Sequence, residues 1–113
     1  MLPPAYRMRH SAEFASVLRS GARARRGQLV VHQQQALGDG RALVGLVVGR
    51  SVGGSVVRHR VSRRLRAQLA QRLEALPEGS GSVIRALPGA AIATSAELGA
   101  DLDAALARLG RVR

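Results

Sequence analysis

Between Arg50 and Arg72 the chain carries seven arginines and no carboxylate. Arg58, His59, Arg60, Arg63, Arg64 and Arg66 fall close enough together to share the surface of a single helix. Arginine presents a planar fork of donors that matches two phosphate oxygens and stays charged at any workable pH. An ordinary solvated helix face mixes the two signs of charge. Like charges without an interleaved acid gain no i, i+4 pairing and repel one another. The chemistry open to this stretch is therefore the binding of a polyanion. Gly53, Gly54 and Ser55 stand just ahead of it, where the free N–H groups of a helix N-terminus strengthen the attraction for anions.

Other chemistries find less support. Gly49 to Gly54 has the spacing of a nucleotide-binding loop, but Ser55 stands where that motif requires lysine, and no G-x-G-x-x-G occurs. His10, His32 and His59 lack ligand-like spacing for a metal site. His10 and His59 read as donors toward RNA and His32 as a strand residue. A nuclease needs clustered carboxylates to hold its ions, and the basic stretch has none. Asp101 and Asp103 read as exposed residues near the N-terminal half of a late helix, with Glu97 as part of its cap. The absence of cysteine excludes disulfides, zinc ribbons and thiol chemistry.

The whole chain has 113 residues and 11.9 kDa, enough for one domain, residues 1–113, with one modest core. Its 18 basic residues, all arginine, face 7 acidic ones, for a net charge of +11. The excess is concentrated in residues 1–26 and 50–72, which points to a polyanionic partner: nucleic acid or an anionic membrane. The N-terminus lacks the apolar core of a secretory signal and no apolar run is long enough to span a bilayer, so the chain reads as cytoplasmic, without a membrane partner. Tyr6 and Phe14 are the only aromatic residues, too few for a sheet that stacks several bases.

These residues need elements to position them. Ser11 can cap a short helix with Phe14, Val17 and Leu18 on its apolar side and Gly21 at its end. After an arginine-rich connection, Gln28 to Gln35 reads as a strand, Asp39-Gly40 as a turn, and Ala42 to Val48 as a buried strand, together suggesting an antiparallel hairpin. Gly54 to about Leu76 reads as a helix with Val57, Val61, Leu65, Leu69 and Leu73 within an arc of about 160°. His59, Arg60, Arg63, Arg64 and Arg66 lie on the opposite arc. Arg58 projects from the apolar arc, and its direction stays open. Val83 to Leu87 supplies a further strand. Thr94-Ser95-Ala96-Glu97 matches a capping box opening a last helix, with Leu98, Leu102, Ala105, Leu106 and Leu109 in one stripe. The predicted order is α, β, β, α, β, α.

Arg50, Gly53, Val56, Arg58, His59, Arg60, Arg63, Arg64 and Arg66, with Arg7-Met8-Arg9 ahead of a helix bearing Phe14 and with Ser82 to Leu87 before Pro88, resemble the protein subunit of bacterial ribonuclease P over residues 6 to 109. His59 stands where that family usually has Asn, and Gly54-Ser55 replaces the common Asn-Ala. The resemblance implies an α/β (α+β) two-layer sandwich, in which a small mixed sheet packs with helices and the arginine helix lies in an unusual left-handed βαβ crossover. It implies the protein component of a ribonucleoprotein endoribonuclease that removes the 5′ leader from precursor tRNA. Catalysis belongs to the RNA subunit, and Mg2+ is held mainly by that RNA. The implied partners are the catalytic RNA, with 1:1 stoichiometry, and precursor tRNA. On matching positions Arg50, Arg58, His59, Arg60, Arg63, Arg64 and Arg66 would contact the catalytic RNA, while Phe14, Leu18, Val30 and His32 would line a cleft for the leader.

The composition alone also admits a ribosomal or other structural RNA-binding protein without a role in cleavage. A DNA-binding helix-turn-helix is disfavoured, because a strand and not a helix precedes the arginine helix.

Overall fold

The computed structural model describes residues 2–38 and 40–111. Three helices, α1 (Ser11–Ser20), α2 (Ser55–Ala70) and α3 (Ser95–Arg111), accompany four strands, β1 (Ala22–Arg26), β2 (Leu29–Gln34), β3 (Leu43–Val47) and β4 (Gly81–Ala86). The strands form one mixed sheet in the order β1-β2-β4-β3. β1 and β2 form the hairpin, turning through Gly27 at φ 56°, while β4 lies antiparallel to β2 and parallel to β3. The chain thus leaves β3, passes through α2 and returns alongside as β4.

Two sequence expectations change here. The stretch from Ala22 to Arg26, read as a connection, is edge strand β1, with Ala24 its one buried residue. The antiparallel hairpin expected between Gln28–Gln35 and Ala42–Val48 does not form, because β4 inserts between β2 and β3. Asp39, half of the expected turn, lies outside the described residues. The predicted helix to Leu76 ends at Ala70, where Gln71 and Arg72 N–H groups turn back to Gln68 and Leu69 carbonyls and a short 3-10 turn, Leu73–Ala75, follows. Arg72 Nη1 donates to the Gln68 carbonyl oxygen at 2.9 Å and so satisfies one group of that frayed end.

Alternation along the strands divides the sheet into two faces. Leu29, Val31, Val44, Ile84 and Ala86 join the main core with Val61, Leu65 and Leu69 of α2 and Leu98, Leu102, Ala105, Leu106 and Leu109 of α3. The predicted apolar stripes of both helices are thereby buried, with Val57 and Leu73 packed at the margin. Sheet and α2–α3 pair make the two main layers. On the opposite face α1 covers part of the sheet through Val17 and Phe14, against Val83, Leu43 and Val47. Gly45 allows this approach: a Cβ there would run into the Phe14 ring. His10, not Ser11, occupies the N-cap of α1, and its backbone N–H donates to Glu13 Oε1 at 3.3 Å. The predicted capping box of α3 is present, with Thr94 N–H donating to Glu97 Oε1 at 2.8 Å and Glu97 N–H to Thr94 Oγ1 at 3.1 Å. Hydrogen bonding to the carboxyl from the Thr94 backbone N–H, and then from the Thr94 side chain, holds Glu97 below its ordinary range.

Candidate nucleic-acid interface

α2 shows two flanks where the helical wheel has a single basic face. Residues 60, 64, 68 and 72 recur every four positions and lean on the segment leading into α3. Arg60 Nη2 donates to the Ala91 carbonyl oxygen at 3.3 Å, Arg64 Nη1 to that of Ala93 at 2.8 Å, and Gln68 Nε2 to Ser95 Oγ at 2.9 Å. Arg72 Nε pairs with Asp103 Oδ1 at 2.7 Å, which holds the Asp103 carboxyl below its ordinary range. Arg60 and Arg64 are therefore half-buried and anchored, where the sequence reading had them projecting from an open arc. Each keeps further N–H groups beyond the one bonded to a carbonyl.

The other flank is open. His59 and Arg63 are exposed, Arg66 is half-buried, and these three line one cavity together with Ala67 and Arg7. Sequence reasoning left Arg7 out of the RNA-binding set. It arrives because Arg7 pairs with Val44 and the Met8 N–H donates to the Val44 carbonyl oxygen at 2.8 Å, which lays the N-terminal segment along the outer edge of β3. The clue in sequence was the Arg7-Met8-Arg9 alternation, a pattern suited to an edge strand. No carboxylate shares this cavity among its lining residues.

The N-terminal end of α2 has the form expected of an anion-attracting terminus. Gly54 is the N-cap and no side chain caps the helix. A Cβ at Gly53, whose φ is 156°, would crowd Val57, so glycine is what permits the tight entry. Arg50 is exposed in the turn leading to this entry, and Val56 is 78% exposed on the first turn. Arg58 is half-buried with its Nε enclosed and without a hydrogen-bond partner among the described residues, which places its stem against the protein.

The four cleft residues named from the resemblance divide in the same way. Phe14 is half-buried over Gly45 and belongs to the packing of α1 on the sheet, whereas Leu18 is 44% exposed beside it. Val30 and His32 are both buried on the α1 face of β2. Their cross-strand neighbours are cationic: Arg23 faces His32 from β1, and Arg25 and Arg85 face Val30 from β1 and β4. Burial, then the positive fields of Arg85 and Arg23, hold the His32 imidazole below its ordinary value of 6.5. Arg23 and Arg25 belong to a stretch that reads in sequence as an arginine-rich connection and Arg85 is the one charged residue of its strand, so only strand register brings the three together.

Asp101, expected to be an exposed helix residue, instead accepts the Gln28 N–H at 3.0 Å and so ties α3 to the β1–β2 turn. Among the described residues no three His, Asp or Glu side chains gather as a metal site. None of its described helices is long and apolar enough to cross a membrane.

The sequence profile of the family Ribonuclease P matches residues 2–110. A ribonuclease P protein component from Mycobacterium sp. (strain KMS) is 52% identical over 109 residues, covering 96% of this chain and 92% of that relative. One from Streptomyces bikiniensis is 49% identical over 117 residues, covering 96% and 95%. The fold matches the ribonuclease P protein of Staphylococcus aureus solved at 2.0 Å, with a TM-score of 0.80 at 20% identity over 91% of this chain and 94% of that one. It also matches the Thermotoga maritima protein, with a TM-score of 0.75 at 20% identity over 95% and 97%. With a family profile spanning nearly its whole length and relatives at about half identity, this chain belongs to the ribonuclease P protein family and is the partner of a ribonuclease P RNA in a tRNA-processing ribonuclease.

Proposed function

We propose that the chain, acting as a single domain, grips the catalytic RNA through the open flank of α2 and guides the 5′ leader of precursor tRNA over the α1 face of the sheet. The observation that carries this reading is the convergence of Arg7, His59, Arg63 and Arg66 around one cavity without a carboxylate. Arg60 and Arg64, fixed by carbonyl oxygens, present their remaining Nη N–H groups at set positions, the Arg60 Nε being enclosed, which lowers the entropy lost when they meet phosphate. Arg50 and Arg58 extend the same surface toward the N-terminal end of α2. The β3–α2–β4 connection is the left-handed crossover of the family.

Bond breaking is assigned to the RNA subunit, together with the Mg2+ that it holds. The protein's own contribution is to neutralise phosphate charge, so that catalytic RNA and substrate approach at lower ion concentration. One protein binds one RNA, in the cytoplasm. The test is cleavage of precursor tRNA by ribonuclease P RNA at low magnesium, with and without the protein. The protein raises the rate of leader removal; an unchanged rate would overturn the reading.

A further inference from the structure

Among the described residues, the large apolar side chains exposed to solvent are Leu18, Val56 and Ile92. Leu18 belongs to α1, on one face of the sheet. The other two are the most exposed, at 78% and 89%, and both stand at the anchored flank of α2, beyond the opposite face. Val56 lies one turn ahead of Arg60 in the row that continues through Arg64 and Gln68. Ile92 follows Ala91 and precedes Ala93, whose carbonyl oxygens accept from Arg60 and Arg64. The flank thus sets two aliphatic side chains among two fixed guanidinium groups. Val56 also lines a cavity of about 440 Å3 with Ser55, His59, Arg60 and Arg63, none of them acidic.

Resting on the RNA-gripping reading above, we infer that Val56 and Ile92, together with the flat faces of Arg60 and Arg64, form a docking surface for unpaired nucleobases of the ribonuclease P RNA. Helical RNA shows its partners phosphates, hydroxyls and base edges, and covering aliphatic carbon with those groups gains nothing. An unstacked base has two broad faces that are poorly hydrated, and these cover apolar side chains and guanidinium planes well. A carbonyl oxygen accepts in the plane of the guanidinium, so the bonds to Ala91 and Ala93 orient the two planes without using their faces.

Charge selects this occupant over a second copy of the chain, which would bring another 11 net positive charges to a surface already lined by His59, Arg60 and Arg63. The surface is also continuous with the open flank, since His59 and Arg63 line both this cavity and the one shared with Arg7 and Arg66. The two flanks of α2 then divide the work. The open flank holds phosphate and supplies the salt-dependent part of the affinity, whereas the anchored flank holds bases and supplies a part that salt leaves alone.

The experiment measures binding of the full chain to its ribonuclease P RNA over a series of salt concentrations. Val56→Ser and Ile92→Ser, both at exposed positions, are each expected to lower affinity by roughly tenfold at every salt concentration. The slope of log affinity against log salt stays that of the parent, while Arg63→Ala reduces it by about 0.7–0.9 for the phosphate it loses. Val56→Leu, which keeps an apolar side chain, binds as the parent does, and urea unfolding of the serine variants shows that their fold is intact. Acylation of RNA 2′-hydroxyls adds a second readout: unpaired nucleotides held by the parent protein become reactive again with Ile92→Ser and stay protected with Arg63→Ala. If both serine variants bind RNA with the parent affinity, or lose affinity only through a smaller salt slope, the base-docking surface is overturned and the RNA-gripping reading stands. Sedimentation that shows the parent to self-associate and both serine variants to be monomers with unchanged RNA affinity would assign the pair to a second copy and likewise overturn it. If the parent itself binds the RNA without any dependence on salt, the RNA-gripping reading falls and the surface falls with it.

Discussion

Arg64 donates from Nη1 to the carbonyl oxygen of Ala93 at 2.8 Å, so a residue of the proposed RNA-binding ridge is also a clasp between α2 and the segment entering α3. Arg63, its neighbour in sequence, is exposed and lines the open cavity instead. Replacing each by alanine should therefore separate two roles. Arg64→Ala should lower folding stability by about 1 kcal/mol, the net worth of one such hydrogen bond. Arg63→Ala should stay within about 0.5 kcal/mol of the parent, as for surface positions generally. Both should weaken RNA binding and reduce the slope of log affinity against log salt by about 0.7–0.9 for each phosphate left without its arginine. Urea unfolding and salt titrations of RNA binding provide the two readouts. Equal stabilities for the two variants would show that the clasp contributes nothing to the fold.

The packing of Phe14 over Gly45 fixes how closely α1 lies on the sheet. A methyl group at residue 45 would enter the Phe14 ring, so Gly45→Ala forces α1 outward and should cost about 1–3 kcal/mol. Phe14→Leu in the same chain makes room for that methyl group. The double variant is then expected to be more stable than the sum of the two single effects predicts, with a coupling of at least about 0.5 kcal/mol between these touching residues. Strict additivity in urea unfolding would show that the ring and the glycine do not limit one another.

What could be read in the sequence was whatever repeats at short range. The stripes of α2 and α3 recur every three or four residues, and the Thr94–Glu97 capping box lies within one turn, so both were legible. β1 was not: in Ala-Arg-Ala-Arg-Arg only Ala24 is buried, and an edge strand of this composition carries little apolar signal. The hairpin was misplaced because neighbouring strands usually pair, whereas here β4 arrives after α2 and takes the position beside β2. Arg60 and Arg64 read in sequence as projecting from an open arc, because the carbonyl oxygens that anchor them lie about thirty positions away, beyond the reach of any periodicity. The cluster of Arg23, Arg85 and His32 likewise exists only through strand register.

Asp101 closes a corner that joins α3 to the β1–β2 turn. Its Oδ2 accepts the Gln28 N–H, and the carboxylate occupies the space that a side chain at Gly27 would need. Asp101→Ala leaves that half-buried N–H without its acceptor and should cost about 1–3 kcal/mol, while Asp101→Asn keeps an acceptor of the same shape and should cost less. Gly27→Ala suffers both the collision and a φ of 56° that alanine adopts poorly. The order of urea midpoints should be parent, then Asp101→Asn, then Asp101→Ala, and RNA affinity should be unchanged in both aspartate variants. An alanine variant as stable as the parent would show that the turn does not depend on this carboxylate.

The depressed titration of His32 makes a separate statement about the fold without RNA. An unfolded chain protonates this histidine near its ordinary value of 6.5, whereas the folded chain resists protonation until lower pH because of burial and the fields of Arg85 and Arg23. As pH falls through the ordinary value, the unfolded state binds the additional proton first, and the contribution of this residue to stability, complete above that value, declines. His32→Gln carries no such proton. The stability difference between parent and variant should then shift in favour of the variant as the solution moves from about pH 7.5 to about pH 5.5. Parallel urea unfolding series across this range measure the difference directly. A difference that moves in favour of the parent on acidification would mean that a negative partner, and not two arginines, governs the imidazole.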